Sequence, residues 1–68
     1  MQDSTIETLE SLIDKHGLLH IVTGLELICF EKADHITCNW QDHSLAKRWY
    51  TTGLKIRDAA NFISDLGI

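Results

Sequence analysis

The sequence predicts an all-α protein: a short N-terminal helix, then a long antiparallel helical hairpin, assembling with further copies into an oligomeric helical bundle. Three observations predict it. Apolar residues recur at spacings of three and four along most of the 68 residues, the period of a helix face. There is no proline, and no stretch alternates apolar and polar residues as a half-buried strand does. The apolar surface of the central segment is also wider than one neighbouring helix can cover.

The first helix is read over residues 5–16. Ser4-Thr5-Ile6-Glu7 fits a capping box, a serine N-cap with a glutamate three residues on. Ile6, Leu9 and Ile13 then form one face, with Leu12 beside them, while Glu7, Glu10 and Asp14 line the other. Lys15 and His16 suit a helix carboxyl end, and Gly17 is the residue expected just past it.

The central helix is read over residues 18–41, a rod of roughly 36 Å at about 1.5 Å per residue. Leu18, Val22, Leu25 and Cys29 repeat at spacings of four and three, and Ile36 and Trp40 resume that stripe. Ile21, Leu25, Ile28 and Ile36 make a second line beside it, which Phe30 and Ala33 extend. Such a surface exceeds the ~100° stripe of an ordinary surface helix, so this helix needs partners on two sides. Gly24 is its weak point, at a cost of about 1 kcal/mol against alanine.

Asp42 or Ser44 caps the third helix, read over residues 43–65. Its stripe is Leu45, Trp49, Ile56, Ala60 and Ile63, flanked by Ala46, Tyr50, Ala59, Phe62 and Leu66. Thr51-Thr52-Gly53 reads as a weak patch where a kink or fray is expected, and Gly67 stands at a natural C-cap. The short connection near Asp42 makes the two long helices antiparallel neighbours. The first helix is expected to pack across the open end of that hairpin.

Residues 1–68 make one helical domain near the lower size limit for folding alone, where oligomerisation, a metal or disulfides usually help. Cys29 and Cys38 cannot bridge each other on one helix: nine residues apart, they face opposite ways about 13 Å apart along the axis. Unpaired thiols fit a reducing compartment. Neither a leader-like start nor an apolar run of about 18 residues is present, so the expectation is a soluble, cytoplasmic protein without membrane contact.

Net charge is −4 and unevenly spread: residues 1–46 carry −6 and residues 47–68 carry +2. The overall acidity argues against nonspecific DNA binding, whose affinity comes largely from neutralising phosphates. The uneven spread permits an acidic segment of one copy to meet a basic segment of another.

Several residue groups have the chemistry of a site. Lys47-Arg48-Trp49-Tyr50, with Trp40 across the turn, sets aromatic faces beside cations. Such a cluster stacks a nucleobase and holds a phosphate, or anchors a protein interface, where tryptophan and arginine are enriched. The interface reading is preferred, with the tryptophans as anchors. Glu31, His35 and Cys38 stand at i, i+4 and i+7 and are all zinc-ligand types. This is the weak metal candidate, since charged residues at helical spacing more often form a solvated face. His16 and His20 have metal spacing only on continuous helix, which Gly17 interrupts. Asp42-His43-Ser44 names a hydrolase triad, but adjacent residues do not line up nucleophile, base and orienter. Neither a phosphate-cradling glycine loop nor an oxyanion hole accompanies these groups. The sequence therefore predicts no enzyme, no cofactor and no catalytic residue.

Glu31-Lys32-Ala33-Asp34-His35, followed by Asn39-Trp40-Gln41-Asp42 and then Ala46 and Trp49, resembles a signature of short uncharacterised helical proteins of bacteria and phages. The resemblance spans about residues 9–60 and brings no activity or cofactor with it. A weaker likeness is to the small helical-hairpin proteins by which phages sequester cyclic nucleotide signals. It rests on size, on a short helix preceding two long ones, and on Arg48, Trp49 and Gly53 of their Arg-Trp motif. The expectation is thus a small non-enzymatic oligomer that binds another protein, with phage interference with a host system as one setting. The alternative is a nucleotide-type ligand held in a pocket between subunits.

Overall fold

Local sequence signals set three helices in the computed structural model, which describes residues 3–68: α1 (Asp3–His16), α2 (Leu18–Asn39) and α3 (His43–Leu66). No strand occurs among the described residues. Helix α1 already contains Asp3 and Ser4. Ser4 is therefore not the N-cap that the capping box required. Its carbonyl instead accepts the Thr8 hydroxyl at 2.8 Å. Asp3 places an anion in the first turn, where the helix dipole favours it.

Gly17 separates α1 from α2 with φ +87° and ψ +148°, a backbone region that only glycine occupies at low cost. Its N–H closes α1 on the Ile13 carbonyl at 2.7 Å, and its own carbonyl accepts the first bond of α2 from Ile21. The chain thus turns within one residue.

Helix α2 stops at Asn39, two residues before the expected end. The N–H groups of Trp40 and Gln41 both donate to the Ile36 carbonyl, at 3.0 and 2.9 Å, and Gln41 enters the left-handed region at φ +53°. Asp42 caps α3 as anticipated, its Oδ1 accepting the Leu45 N–H at 3.0 Å. At the far end Gly67 has φ +79°. Bonds from Gly67 to the Ser64 carbonyl and from Ile68 to the Ile63 carbonyl complete a Schellman closure.

Helices α2 and α3 pack along each other, and the contacts descend α3 as they ascend α2. Glu26 meets Arg57, Phe30 lies against Gly53 and Tyr50, and Lys32 stands over Trp49. The seam is built of the smallest side chains. Cys29 and Ala33 on α2 are buried against Ala46, Gly53 and Ala60 on α3, which repeat every seven residues. Helix axes approach according to the side chains between them, so small residues bring these two close. The apolar stripe read along α3 was offset by this effect: Trp49, Ile56 and Ile63 are half-buried beside the seam rather than in it.

Gly53 corrects a second expectation. Helix α3 runs unbroken through Thr51-Thr52-Gly53. A Cβ on Gly53 would stand 2.5 Å from Cε1 of Phe30, so the glycine marks the tightest approach, not a weak patch.

Among the described residues α1 approaches α2 and not α3, so it does not lie across the open end of the pair. Nothing in α1 is buried. The result is a flattened molecule of 38 × 30 × 16 Å. Its radius of gyration is 13.9 Å, where a compact chain of this length has about 11 Å.

Candidate functional surface

The two broad sides of the α2–α3 layer differ in chemistry. On one, Phe30 and Tyr50 pack ring to ring at 5.3 Å, and the Arg57 guanidinium lies 5.1 Å over Phe30 while its Nε reaches Glu26 Oε1 at 3.5 Å. Aromatic and aliphatic area there is roofed by an ion pair from within the chain.

Among the described residues no ion pair roofs the other side. Ile28, Ile36 and Trp49 border an open cleft of about 430 Å³ together with Glu31, Lys32 and His35. Leu25 precedes Ile28 by three residues, and Leu45, Trp49, Ile56 and Ile63 follow one another along α3 at spacings of four and seven. Leu25 is 45% and Ile28 47% exposed, high values for residues of this size on adjacent helix turns. Lys32 brings a cation to this side, its ammonium 5.5 Å from the Trp49 ring centre, and Arg48 lines a neighbouring hollow with Leu45 and Trp49.

The Lys47-Arg48-Trp49-Tyr50 cluster is divided by the helix that bears it. Trp49 faces the open cleft and Tyr50 the roofed side, while Lys47 and Arg48 line shallow hollows on the outer surface of α3 with Ser44, Thr51 and Thr52. Trp40 stands at the turn, 72% exposed, and carries no seam contact. Successive residues are about 100° apart on a helix, so the four do not share one surface, although Arg48 and Trp49 line a hollow together with Leu45 and Thr52.

Glu31, His35 and Cys38 do not converge. His35 Nδ1 lies 3.1 Å from the Asn39 side-chain amide, and Cys38 Sγ lies 4.0 Å from Asp34 Oδ1. Among the described residues no three His, Cys, Asp or Glu side chains gather as a metal would require. His16 and His20 do come together across Gly17, ring centres 5.7 Å apart. Both cysteines are free, Cys29 in the seam and Cys38 at the surface.

No helix among the described residues is long and apolar enough to cross a membrane. Comparison with family models, with curated proteins and with solved structures finds no match to this chain.

Proposed function

We propose that α2 and α3 form an antiparallel helical hairpin that assembles with further copies into a helical bundle, and that this oligomer works without catalysis, inside cells, by binding another protein. One observation carries the reading. The chain exposes 5360 Å², whereas a compact monomer of its length would expose about 4,300 Å². Much of that surplus is large apolar side chain, including Leu25, Leu27 and Ile28 of α2 and Phe62 and Leu66 of α3. Two layers around a common core are the usual architecture of a stable domain. This chain supplies one layer.

Exposed apolar surface of this extent marks interaction sites in soluble proteins. The unbridged Cys29 and Cys38 fit a reducing compartment. Interference with a host system by a phage-encoded protein is the setting the sequence resemblance suggests. Native mass spectrometry of protein from its own host's lysate tests the reading: a defined oligomer is expected, with partner protein recovered by pull-down. Monomer alone at micromolar concentration by analytical ultracentrifugation overturns the self-association, and repeated pull-downs without a partner overturn the binding role.

A second reading, a nucleotide-type ligand, draws on Lys47 and Arg48 lining the same hollow as the hydroxyls of Ser44, Thr51 and Thr52. Trp40 and Tyr50 stand outside that hollow, while Trp49 lines the adjoining one with Arg48, so one aromatic ring of the expected site stays beside a cation. Nucleotides that bind there raise the melting temperature by mass action, and their failure to do so discards this reading.

A further inference from the structure

We propose that the unroofed side of the α2–α3 layer docks on the same side of a second copy, with each α2 lying over the other copy's α3, to give a two-fold four-helix bundle. The inference rests on the self-association proposed above and specifies its surface and geometry. Leu25, Ile28 and Ile36 of α2 and Leu45, Trp49 and Ile56 of α3 would form the common core, burying what the single layer leaves open. The surplus surface, about 1,000 Å² per chain, matches the roughly 800 Å² each partner buries in a standard-size interface. The opposite side is the poorer candidate, because Arg57 and Glu26 already cover Phe30 there.

Charge selects the pairing of helices. Two stacked layers related by a two-fold axis can set α2 over α2 or α2 over α3. Glu31 lies on the outer border of the docking side of α2, at the edge of the Ile28–Trp49 cleft. Arg48 and, seven residues on, Lys55 lie on the outer border of α3. Lys32 stands over Trp49, which puts Glu31 level with Trp49 and hence with the stretch between Arg48 and Lys55. With the axis parallel to the helices, levels are conserved across the interface. Each Glu31 then meets the Arg48–Lys55 stripe of the other copy, twice per dimer. The alternative stacking sets α2 against α2, where Lys32 is held at the Trp49 ring and each Glu31 is left without the Arg48–Lys55 stripe, so it forgoes these opposite-charge contacts.

The test is charge reversal in the full chain, read by sedimentation or light scattering at low salt. The wild-type chain is expected to be a dimer. Glu31→Arg alone, and Arg48→Glu with Lys55→Glu, should each weaken it about tenfold, as like charges replace rim pairs at two symmetric sites. Mixing the two variants should restore wild-type affinity as a heterodimer, because every rim contact is again between opposite charges. Molar salt should erase the differences. Circular dichroism of each variant checks that the helices persist. A stoichiometry other than two, or a dimer that the reversals leave unmoved, overturns this docking while self-association stands. A wild-type chain that stays monomeric at hundreds of micromolar overturns both.

Discussion

The seam between α2 and α3 and the outward sides of the same helices divide the apolar residues by size. The seam holds Cys29, Ala33, Ala46, Gly53 and Ala60. The outward surfaces hold leucines, isoleucines and tryptophans. A seam of small residues gains from close backbone approach and dense contact, but little area leaves water when alanine is buried. Large residues such as Ile36, Trp49, Ile56 and Ile63 are half-buried beside the seam, and Leu25, Leu27, Ile28, Phe62 and Leu66 keep 45–64% of their surface in water. The difference teaches that close packing and apolar bulk need not reside in the same residues: the small ones set the geometry, and the large ones carry the apolar surface still in contact with water.

The strongest way to break this division is to put bulk into the seam. Gly53→Val inserts a branched side chain where even a Cβ would meet the Phe30 ring at 2.5 Å. Overpacking of this kind costs about 1–3 kcal/mol, which the few tenths of a kcal/mol that valine gains over glycine in helix propensity offset only in part. Thermal melting at fixed chain concentration should show the loss. Phe30→Ala in the same chain should recover part of it by vacating the space, and full additivity of the two changes would show that the ring is not what Gly53 accommodates.

How much of this was legible in the sequence follows from what periodicity reports. Helix existence, the Asp42 cap and the glycine stops at Gly17 and Gly67 were all readable, because each is a local property of a few residues. Which face meets which helix was not. Apolar bulk drew the α3 stripe through Leu45, Trp49, Ile56, Ala60 and Ile63, whereas the seam runs through Ala46, Gly53 and Ala60, so Ala60 alone is common to both. Bulk marks where energy is available, and small size marks where backbones touch. Gly53 carried a readable signal, lying midway between Ala46 and Ala60 at heptad spacing. The Lys47–Tyr50 cluster is split only in part: Trp49 and Tyr50 face opposite sides of the layer, while Arg48 shares one hollow with Lys47 and another with Trp49.

The connection that holds the seam in register gives the next effect. Asp42→Ala removes the acceptor of the Leu45 N–H and should cost about 1 kcal/mol. Asp42→Asn should retain most of the stability. Equal losses from both substitutions would show that the cap contributes through charge rather than through the hydrogen bond.

Gly24 sharpens the comparison between seam and outward surface, because it is the glycine of α2 as Gly53 is the glycine of α3. A Cβ at Gly24 meets nothing within 4 Å. Gly24→Ala should therefore raise stability by up to about 1 kcal/mol through helix propensity alone. The same change at Gly53 should be neutral or destabilising, as Phe30 must give way. Two alanine substitutions with opposite outcomes would establish that the two mid-helix glycines serve different ends. If both stabilise equally, Phe30 yields freely and the seam is looser than its geometry implies.

The smallest effect expected is at Gln41, the non-glycine residue held at φ +53° between α2 and α3. A side chain in the left-handed region costs about 1–2 kcal/mol, because Cβ crowds the following carbonyl. Gln41→Gly relieves that strain, yet it also gives the unfolded chain more freedom, worth about 0.4–1 kcal/mol in the other direction. The net gain should be a few tenths of a kcal/mol up to about 1 kcal/mol, visible as a small rise in denaturation midpoint with an unchanged slope. Gln41→Val, branched and poorly suited to positive φ, should lose stability instead. Because Gln41 is an exposed residue of the turn, both variants should leave oligomeric state as it is. A shift in stoichiometry would mean that the turn sets the angle at which α2 and α3 present their shared apolar surface.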